Sequence, residues 1–200
     1  MIPRAEMKRL FPARATFVGA FSGPVPQSPL PEVVFAGRSN VGKSSAINVI
    51  VGQAIARTSS TPGRTQSINV FDLGALRLVD LPGYGYAKVG KSMREDWKRL
   101  IGAYLSDRPQ LKLVVALIDA RRDPQDLDKV LLEQLGRLGH PVLGLATKVD
   151  DLPKAKREST VAALAAAHGL PSDAVIPFSA TENIGVEEAR EAIAWSLSPG

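Results

Sequence analysis

The chain of 200 residues contains no cysteine and no long apolar run. The lack of cysteine excludes disulfides, thiol catalysis and zinc sites built on cysteine, and it agrees with a reducing compartment. No apolar run approaches the roughly 20 residues of a membrane-spanning helix, and residues 1–17 lack the apolar segment of a secretory signal. We therefore expect a cytoplasmic protein that does not bind a membrane. Four basic residues among the first fourteen leave a short organellar presequence as the alternative, although Glu6 argues against it.

The composition provides enough apolar material for one domain. Hydrophobic residues make up 44% of the chain, so we expect a single domain over residues 1–200 with an N-terminal extension at residues 1–31. We expect it to be a monomer. The formal net charge of +5 suits a polyanionic partner such as RNA, although this signal alone is weak.

Apolar segments and turn residues predict alternating strands and helices. Strands are expected at residues 16–19, 33–36, 67–73, 76–80, 112–118, 142–146 and 175–178. Helical spacing predicts helices at residues 92–105, 124–138, 155–168 and 186–197. Gly74 and Ala75 indicate an antiparallel hairpin, and four prolines within residues 23–31 indicate an extended connector. The alternation predicts an α/β three-layer fold, with a mostly parallel sheet and one antiparallel edge strand.

A phosphate-binding pattern follows the predicted strand at residues 33–36. Residues 37–44 fit G-x-x-x-x-G-K-[ST], and a helix can begin at Ser44. In that setting, main-chain N–H groups and the positive end of the helix converge on a polyphosphate. A glycine-rich turn that binds nothing would be a serious alternative if this motif stood alone. The predicted phosphate-binding residues are Gly37, Arg38, Ser39, Asn40, Val41, Gly42, Lys43, Ser44 and Ser45.

Three further patterns follow strand ends, where ligands of open α/β sheets bind. In the first, D-x-x-G, the Asp80 carboxylate would hold magnesium and the Gly83 N–H would approach the terminal phosphate. In the second, residues 147–150, the Asp150 carboxylate can accept two hydrogen bonds from guanine. Adenine has no matching pair of donors. In the third, a main-chain N–H of Ser179 or Ala180 would meet the guanine carbonyl oxygen. Each pattern alone also fits an exposed turn, but their order and context favour a GTP/GDP site.

With these motifs in place, the chain resembles the EngB family of small bacterial GTPases, which are implicated in assembly of the large ribosomal subunit. The resemblance covers residues 17–197 and implies a P-loop NTPase fold of the Ras-like G-domain type. It rests on the motifs at residues 37–45, 61–66, 80–87 and 147–150. It adds Gly63 to the nucleotide contacts, makes Thr65 the switch threonine that meets Mg²⁺, and places Lys148 over the base. Thr147 stands where GTPases usually have asparagine, and Asp151 where relatives often have lysine.

The resemblance also divides the expected roles in hydrolysis. Catalysis is assigned to Lys43, which contacts the terminal phosphates, together with Asn40, Thr65 and Gly83. Mg²⁺ is assigned to Ser44, Thr65 and Asp80. Tyr84 occupies the place of the glutamine that orients water in many GTPases, so we expect slow intrinsic turnover. Arg64 is either an internal arginine finger or a residue that contacts the partner or solvent. Asn40 suggests activation by K⁺, or else it only stiffens the loop.

The expected partner is the large ribosomal subunit or its precursor, through ribosomal RNA and proteins, and a role in normal cell division accompanies it. A basic cluster follows the motif at residues 80–87, which we call the second switch. The cluster would face RNA or would only be solvated, and it comprises Lys88, Lys91, Arg94, Lys98 and Arg99. One rival is a nucleotide-gated binding module for septation or stress response with incidental hydrolysis. Another is an ATPase or metabolite kinase, which Asp150 disfavours.

Overall fold

The computed structural model describes residues 2–12, 14–57, 67–84, 91–106 and 108–198. Within residues 91–106 it describes the side chains of residue 95 and of residues 99–106. None of the helices in these ranges combines the length and the apolar character that crossing a membrane requires.

The described chain forms a seven-stranded sheet with the order β1-β3-β4-β2-β5-β6-β7. The strands are β1 (Thr16–Phe21), β2 (Glu32–Gly37), β3 (Ile68–Asp72), β4 (Arg77–Asp80), β5 (Leu111–Asp119), β6 (Val142–Thr147) and β7 (Val175–Phe178). The five strands from β4 to β7 in this order pair in parallel, so their carboxyl ends meet at one edge of the sheet. This arrangement confirms the predicted α/β class and a mostly parallel sheet.

The position of the reversed strand differs from the prediction. β3 is antiparallel to β4, as the predicted hairpin requires, but it does not lie at the edge of the sheet. β1 pairs antiparallel with β3 on the outer side of β3, with a register shift between Phe17 and Gly19. The rings of Phe17 and Phe71 lie 5.4 Å apart across this pair. β1 therefore uses main-chain groups of β3 that would otherwise be unpaired, and β1 itself becomes the edge strand.

In the described part of the chain, six α-helices cover the two faces of the sheet. They are α1 (Arg4–Leu10), α2 (Lys43–Val51), α3 (Lys91–Ser106), α4 (Asp126–Arg137), α5 (Lys154–Ala167) and α6 (Val186–Ser196). Alternate residues of β2 face opposite sides: Val34 joins the apolar cluster that contains Leu131 of α4, whereas Phe35 joins the cluster that contains Ile47 of α2. This period of two confirms the predicted three layers.

The ends of two helices match the glycine stops in the sequence. Gly139 and Gly169 have φ angles of +72° and +67°, a left-handed conformation that glycine adopts at little cost. They follow the last residues of α4 and α5 closely, as predicted. The short helix α1 was not predicted, because seven residues carry too little periodic signal.

A buried ion pair fixes the proline-rich connector at the amino end of β2. Arg108 donates to both carboxylate oxygens of Glu32, at 2.7 and 3.0 Å, and to the main-chain oxygen of Val25 at 3.0 Å. The Tyr104 hydroxyl also donates to Glu32 at 2.6 Å. Burial, followed by the nearby Glu32 charge, raises the pKa of Tyr104, so the hydroxyl remains protonated. This cluster lies at the end of β2 opposite the phosphate-binding motif.

Candidate nucleotide-binding site

The residues predicted to bind phosphates form a tight loop, 37–44, between β2 and α2. Asn40 and Gly42 both have positive φ angles, +64° and +97°, and Gly42 is the residue that precedes the first turn of α2. In the described part of the chain, the N–H groups of Gly42, Lys43 and Ser44 donate to no main-chain oxygen. The first turn of a helix has unpaired N–H groups and a partial positive charge, so this loop is built to bind an anion.

This phosphate loop packs directly on the loop that follows β4. A Cβ atom on Gly83 would lie 3.1 Å from the main-chain N and the Oγ of Ser39, so only glycine allows this approach without displacement. The Ser39 N–H also donates to the main-chain oxygen of Tyr84 at 2.8 Å. At the other end of the loop, a Cβ atom on Gly37 would lie 2.9 Å from Val41. The close packing places Gly83 beside the phosphate loop, and the approach of its N–H to the terminal phosphate stays a prediction.

Lys43 and Asp80 form an ion pair within this loop cluster. Their side chains are only 11% and 7% exposed, so each charge depends on the other for compensation. Ser44 is the next residue of α2. The structure thus brings Asp80 to Lys43, the residue before Ser44, and all three were predicted for phosphate or metal binding.

The donor set fits Mg²⁺ rather than a metal held by protein alone. Among the described residues no group of three or more histidine, cysteine or carboxylate side chains could hold a metal. Mg²⁺ is usually bound by one or two protein oxygens together with substrate phosphates and water. The Asp80 carboxylate and the Ser44 hydroxyl are oxygen donors of this kind.

The residues predicted to contact the base lie at the end of β6 and in the following turn, residues 148–151, which we call the base turn. The Thr147 hydroxyl is buried and donates to the main-chain oxygen of Val41 at 2.8 Å. Lys148 has a φ angle of +62°, and its Nζ donates to the main-chain oxygen of Asn40 at 2.6 Å. The first contact joins the end of β6 to the phosphate loop, and the second joins the base turn to it. Thr147 therefore acts on the loop here, and its hydroxyl is not directed to a base.

Asp150 belongs to the base turn. Asp150 lies in a short 3-10 turn, Val149–Asp151, and is half-buried. Arg157 donates to its main-chain oxygen at 3.4 Å, but no described protein group donates to its carboxylate. A carboxylate in this position has four lone-pair sites for hydrogen bonds.

The structure narrows the prediction for residues 179 and 180. The Ser179 N–H donates to the main-chain oxygen of Ile184 at 3.0 Å, and its hydroxyl accepts a bond from the Glu182 N–H. Ser179 is therefore occupied within the turn and does not offer the predicted N–H to a base. The Ala180 N–H makes no main-chain hydrogen bond with the described residues, so the prediction now rests on Ala180 alone.

Two predicted groups of residues lie outside the described part of the chain. One group is Gly63, Arg64 and Thr65, and the other includes Lys88. Of the basic cluster on α3, the structure describes the exposed side chain of Arg99, whereas the side chains of Lys91, Arg94 and Lys98 are outside the described residues. The roles assigned to all of these residues remain predictions.

Sequence reasoning missed two charged residues beside the base turn, Asp119 and Arg121. Asp119 ends β5, and its carboxylate accepts hydrogen bonds from Arg121 and from Lys148, each at 2.9 Å. Burial raises the pKa of Asp119, but the hydrogen bonds from Arg121 and Lys148 outweigh it, and the pKa is lowered to about 2. The sequence could have identified Asp119 by its position at the carboxyl end of a buried parallel strand, where the site residues of such sheets concentrate.

A third missed residue is Asp128 of α4. It is 5% exposed and accepts a hydrogen bond from the Tyr84 hydroxyl at 2.7 Å. Burial, followed by the Asp128 charge, raises the pKa of Tyr84 well above its usual value. The residue that follows Gly83 is therefore anchored to α4. In the sequence, Asp128 stands three positions before Leu131 on the apolar stripe, which marks a charged residue on the buried face of a helix.

Comparisons with known proteins agree with this geometry. A family model described as 50S ribosome-binding GTPase matches residues 32–148. A probable GTP-binding protein EngB from Syntrophotalea carbinolica is 45% identical over 188 residues, which cover 92% of this chain and 91% of that protein. A probable GTP-binding protein EngB from Ligilactobacillus salivarius is 46% identical, with coverage of 82% and 85%.

Solved structures show the same architecture. The crystal structure of a probable GTP-binding protein EngB has a TM-score of 0.70 at 25% identity and covers 82% of this chain and 97% of that one. Era in complex with MgGDPNP and a segment of 16S ribosomal RNA has a TM-score of 0.67 at 20% identity, with coverage of 86% and 58%, and shows the fold alone. With its phosphate loop, D-x-x-G loop and base turn at one edge of this sheet, the chain belongs to the EngB family of GTP-binding GTPases.

Proposed function

We propose that this GTPase is a Mg²⁺-dependent nucleotide switch that controls a step in assembly of the large ribosomal subunit. The observation that carries the nucleotide part is the linkage of the two halves of the site: Thr147 and Lys148 both bond to main-chain oxygens of the phosphate loop. A single ligand can therefore lie with its phosphates on α2 and its base against the base turn.

The phosphates would bind at the amino end of α2. The unpaired N–H groups of Gly42, Lys43 and Ser44 would donate to phosphate oxygens, and Lys43 would contact the terminal phosphates. Ser44, Asp80 and Thr65 would hold Mg²⁺, which neutralises phosphate charge when it is bound. Lys43 is paired with Asp80 in this structure, and the other N–H donors of its ammonium group would be available to a bound phosphate.

The base would be recognised by Asp150 and Ala180. The Asp150 carboxylate would accept two hydrogen bonds from the N1–H and the 2-amino group of guanine, and the Ala180 N–H would donate to the guanine carbonyl oxygen. Adenine presents neither this donor pair nor this acceptor. These contacts would make the site selective for guanine nucleotides.

Hydrolysis would depend on placing charge around the terminal phosphate. Lys43 and the Gly83 N–H would stabilise the charge that develops there, since protein contributes to phosphoryl transfer mainly through positioning and electrostatics. Tyr84 is held by Asp128 and does not supply a carboxamide to orient water. Slow intrinsic turnover follows, and a K⁺ ion bound through the Asn40 side chain would accelerate it.

The ribosomal part of the proposal rests on the family description and on charge. The matching family is described as binding the 50S ribosome, and the net charge of +5 favours association with RNA. Arg99 of α3 is exposed and belongs to the basic cluster that follows the second switch. A nucleotide-dependent change in residues near Tyr84 would then alter this basic surface. A requirement for normal cell division would follow from failed ribosome assembly.

Single-turnover hydrolysis with and without purified large-subunit precursors tests this proposal. We expect the precursors to accelerate hydrolysis, and we expect co-sedimentation with them in the presence of a non-hydrolysable GTP analogue to fall steeply as salt increases. Arg99→Glu should weaken this binding, whereas Arg137→Glu, at an exposed arginine on α4, should not. Unchanged turnover and no co-sedimentation would favour the rival nucleotide-gated binding module.

A further inference from the structure

Arg121 joins two aspartates that lie in different segments of the site. Its Nε and Nη2 donate to the two carboxylate oxygens of Asp119 at 2.9 Å each, and its Nη1 donates to the carboxylate of Asp151 at 2.9 Å. The Arg121 N–H also donates to Asp119 at 3.1 Å. The guanidinium is thus held in one orientation between the end of β5 and the base turn.

Asp119 completes a chain of four charges around the base turn. It accepts a hydrogen bond from Lys148 at 2.9 Å, so Lys148 at the start of the turn and Asp151 at its end both connect to the Asp119–Arg121 pair. Asp150 lies between these two anchored residues. Its carboxylate accepts no hydrogen bond from a described protein group, so its direction is set by the main chain on either side.

We propose that Arg121 and Asp119 are positioning residues for guanine selectivity, which hold both ends of the base turn so that the Asp150 carboxylate faces the base. The inference rests on the base contact proposed above for Asp150. The low pKa of Asp119 keeps its carboxylate ionised throughout the neutral range.

The contact between Arg121 and Asp151 contributes little to global stability. Arg121 is 40% exposed and Asp151 51%, and ion pairs as exposed as this one contribute little to the stability of the fold. The two hydrogen bonds proposed between guanine and Asp150 depend on the orientation of the carboxylate, because a carboxylate that rotates away from the base loses the second bond. Removal of Arg121 also breaks its pair with Asp119, whose side chain is only 9% exposed, so some stability is lost, and the selectivity ratio of the folded protein is the readout that a purely structural role would not move.

The test compares the affinities of Arg121→Ala and the wild type for GDP and IDP. Inosine lacks the 2-amino group, so IDP offers Asp150 only one of the two donors. We expect GDP affinity to fall about tenfold and IDP affinity to change less than about twofold, so that the selectivity ratio collapses. An unchanged ratio, whether both affinities fall together or neither falls, would overturn the proposal.

Three further variants keep the result interpretable. Arg122→Ala is the matched control, because the adjacent Arg122 is 62% exposed and its Nε lies 3.8 Å from Asp119; its ratio should equal that of the wild type. Asp151→Asn removes the charge at the carboxyl end of the base turn with little change in shape. The ratio of GDP affinity to IDP affinity should fall by about threefold in this variant, which serves as the test if Arg121→Ala does not fold. Full selectivity in Asp150→Ala would refute the base contact itself, whereas selectivity lost there but retained in Arg121→Ala and Asp151→Asn would refute only the positioning role.

Discussion

The Thr147 hydroxyl donates to the main-chain oxygen of Val41 at 2.8 Å, across a sequence separation of 106 residues. A hydroxyl has one hydrogen to donate, and the oxygen of Ile118 is farther away, at 3.2 Å. The bond therefore fixes the end of β6 to the phosphate loop. A threonine at the position where GTPases usually have asparagine still joins the two halves of the site.

Thr147→Val should reveal the strength of this junction. The substitution removes the hydroxyl while keeping the branched shape, and it leaves a buried carbonyl oxygen without its donor, at a cost of about 1–3 kcal/mol. We expect lower unfolding free energy in urea and weaker GDP binding by calorimetry. Thr147→Ser retains the hydroxyl and should bind GDP as the wild type does. Equal behaviour of the two variants would show that the hydroxyl is not needed.

Substitutions of Asp150 test recognition of the base. Asp150→Ala should lower GDP affinity roughly tenfold to a hundredfold, because charge-assisted hydrogen bonds contribute about 1.5–3 kcal/mol. Asp150→Asn should shift preference toward XDP, since an amide N–H can donate to the 2-oxo group of xanthine. Asp173→Ala, at an exposed aspartate outside the site, is the control. Undiminished GDP binding by Asp150→Ala would remove Asp150 from the site.

Residues with local sequence signals were predicted better than residues that act through contacts distant in sequence. The phosphate loop and the strand ends were predicted because glycine spacing and short apolar runs are local patterns. Asp119 and Asp128 were missed because each has a role only through partners that the fold brings to it, Lys148 and Tyr84 respectively. The position of β1 outside β3 was missed for the same reason, since strand order depends on nonlocal pairing.

The ionised state of Asp119 makes a prediction about acid stability. Its pKa in the folded state is lowered from 3.8 to about 2, so its contribution is present above the unfolded value and is lost as pH falls toward 2. Asp119→Asn should therefore destabilise the protein at pH 7, and this difference from the wild type should shrink between pH 5 and pH 2. Urea unfolding across this range measures it.

Asp123→Asn is the control for the pH dependence of Asp119→Asn, because Asp123 is an exposed aspartate in the segment that follows Asp119. Its unfolding free energy should follow that of the wild type at every pH. If the difference between Asp119→Asn and the wild type were constant with pH, the lost stability would come from packing and not from the charge.

The ion pair between Arg108 and Glu32 should affect stability without affecting nucleotide binding. Arg108→Ala leaves the fully buried Glu32 charge without compensation, and breaking such a pair costs about 3–5 kcal/mol. Replacing both partners, as in Arg108→Met with Glu32→Leu, should recover part of the loss, because the double variant buries no unpaired charge, although the buried Tyr104 hydroxyl loses its acceptor. In variants that fold, GDP affinity should match the wild type, since the pair lies at the opposite end of β2. A GDP affinity that fell with stability would indicate coupling through β2.

Asn40 provides the test of activation by K⁺. Its φ angle of +64° is one that asparagine and glycine tolerate, and its side chain makes no hydrogen bond within the described residues, so the amide oxygen can bind a cation. A cation there would stabilise negative charge on the phosphates in the transition state. We expect GTP hydrolysis to be at least about tenfold faster in KCl than in NaCl. Asn40→Gly removes the amide without straining the main chain and should abolish the difference, whereas Asn40→Asp keeps an oxygen ligand and should retain part of it. Equal rates of the wild type in the two salts would assign Asn40 to the shape of the loop alone.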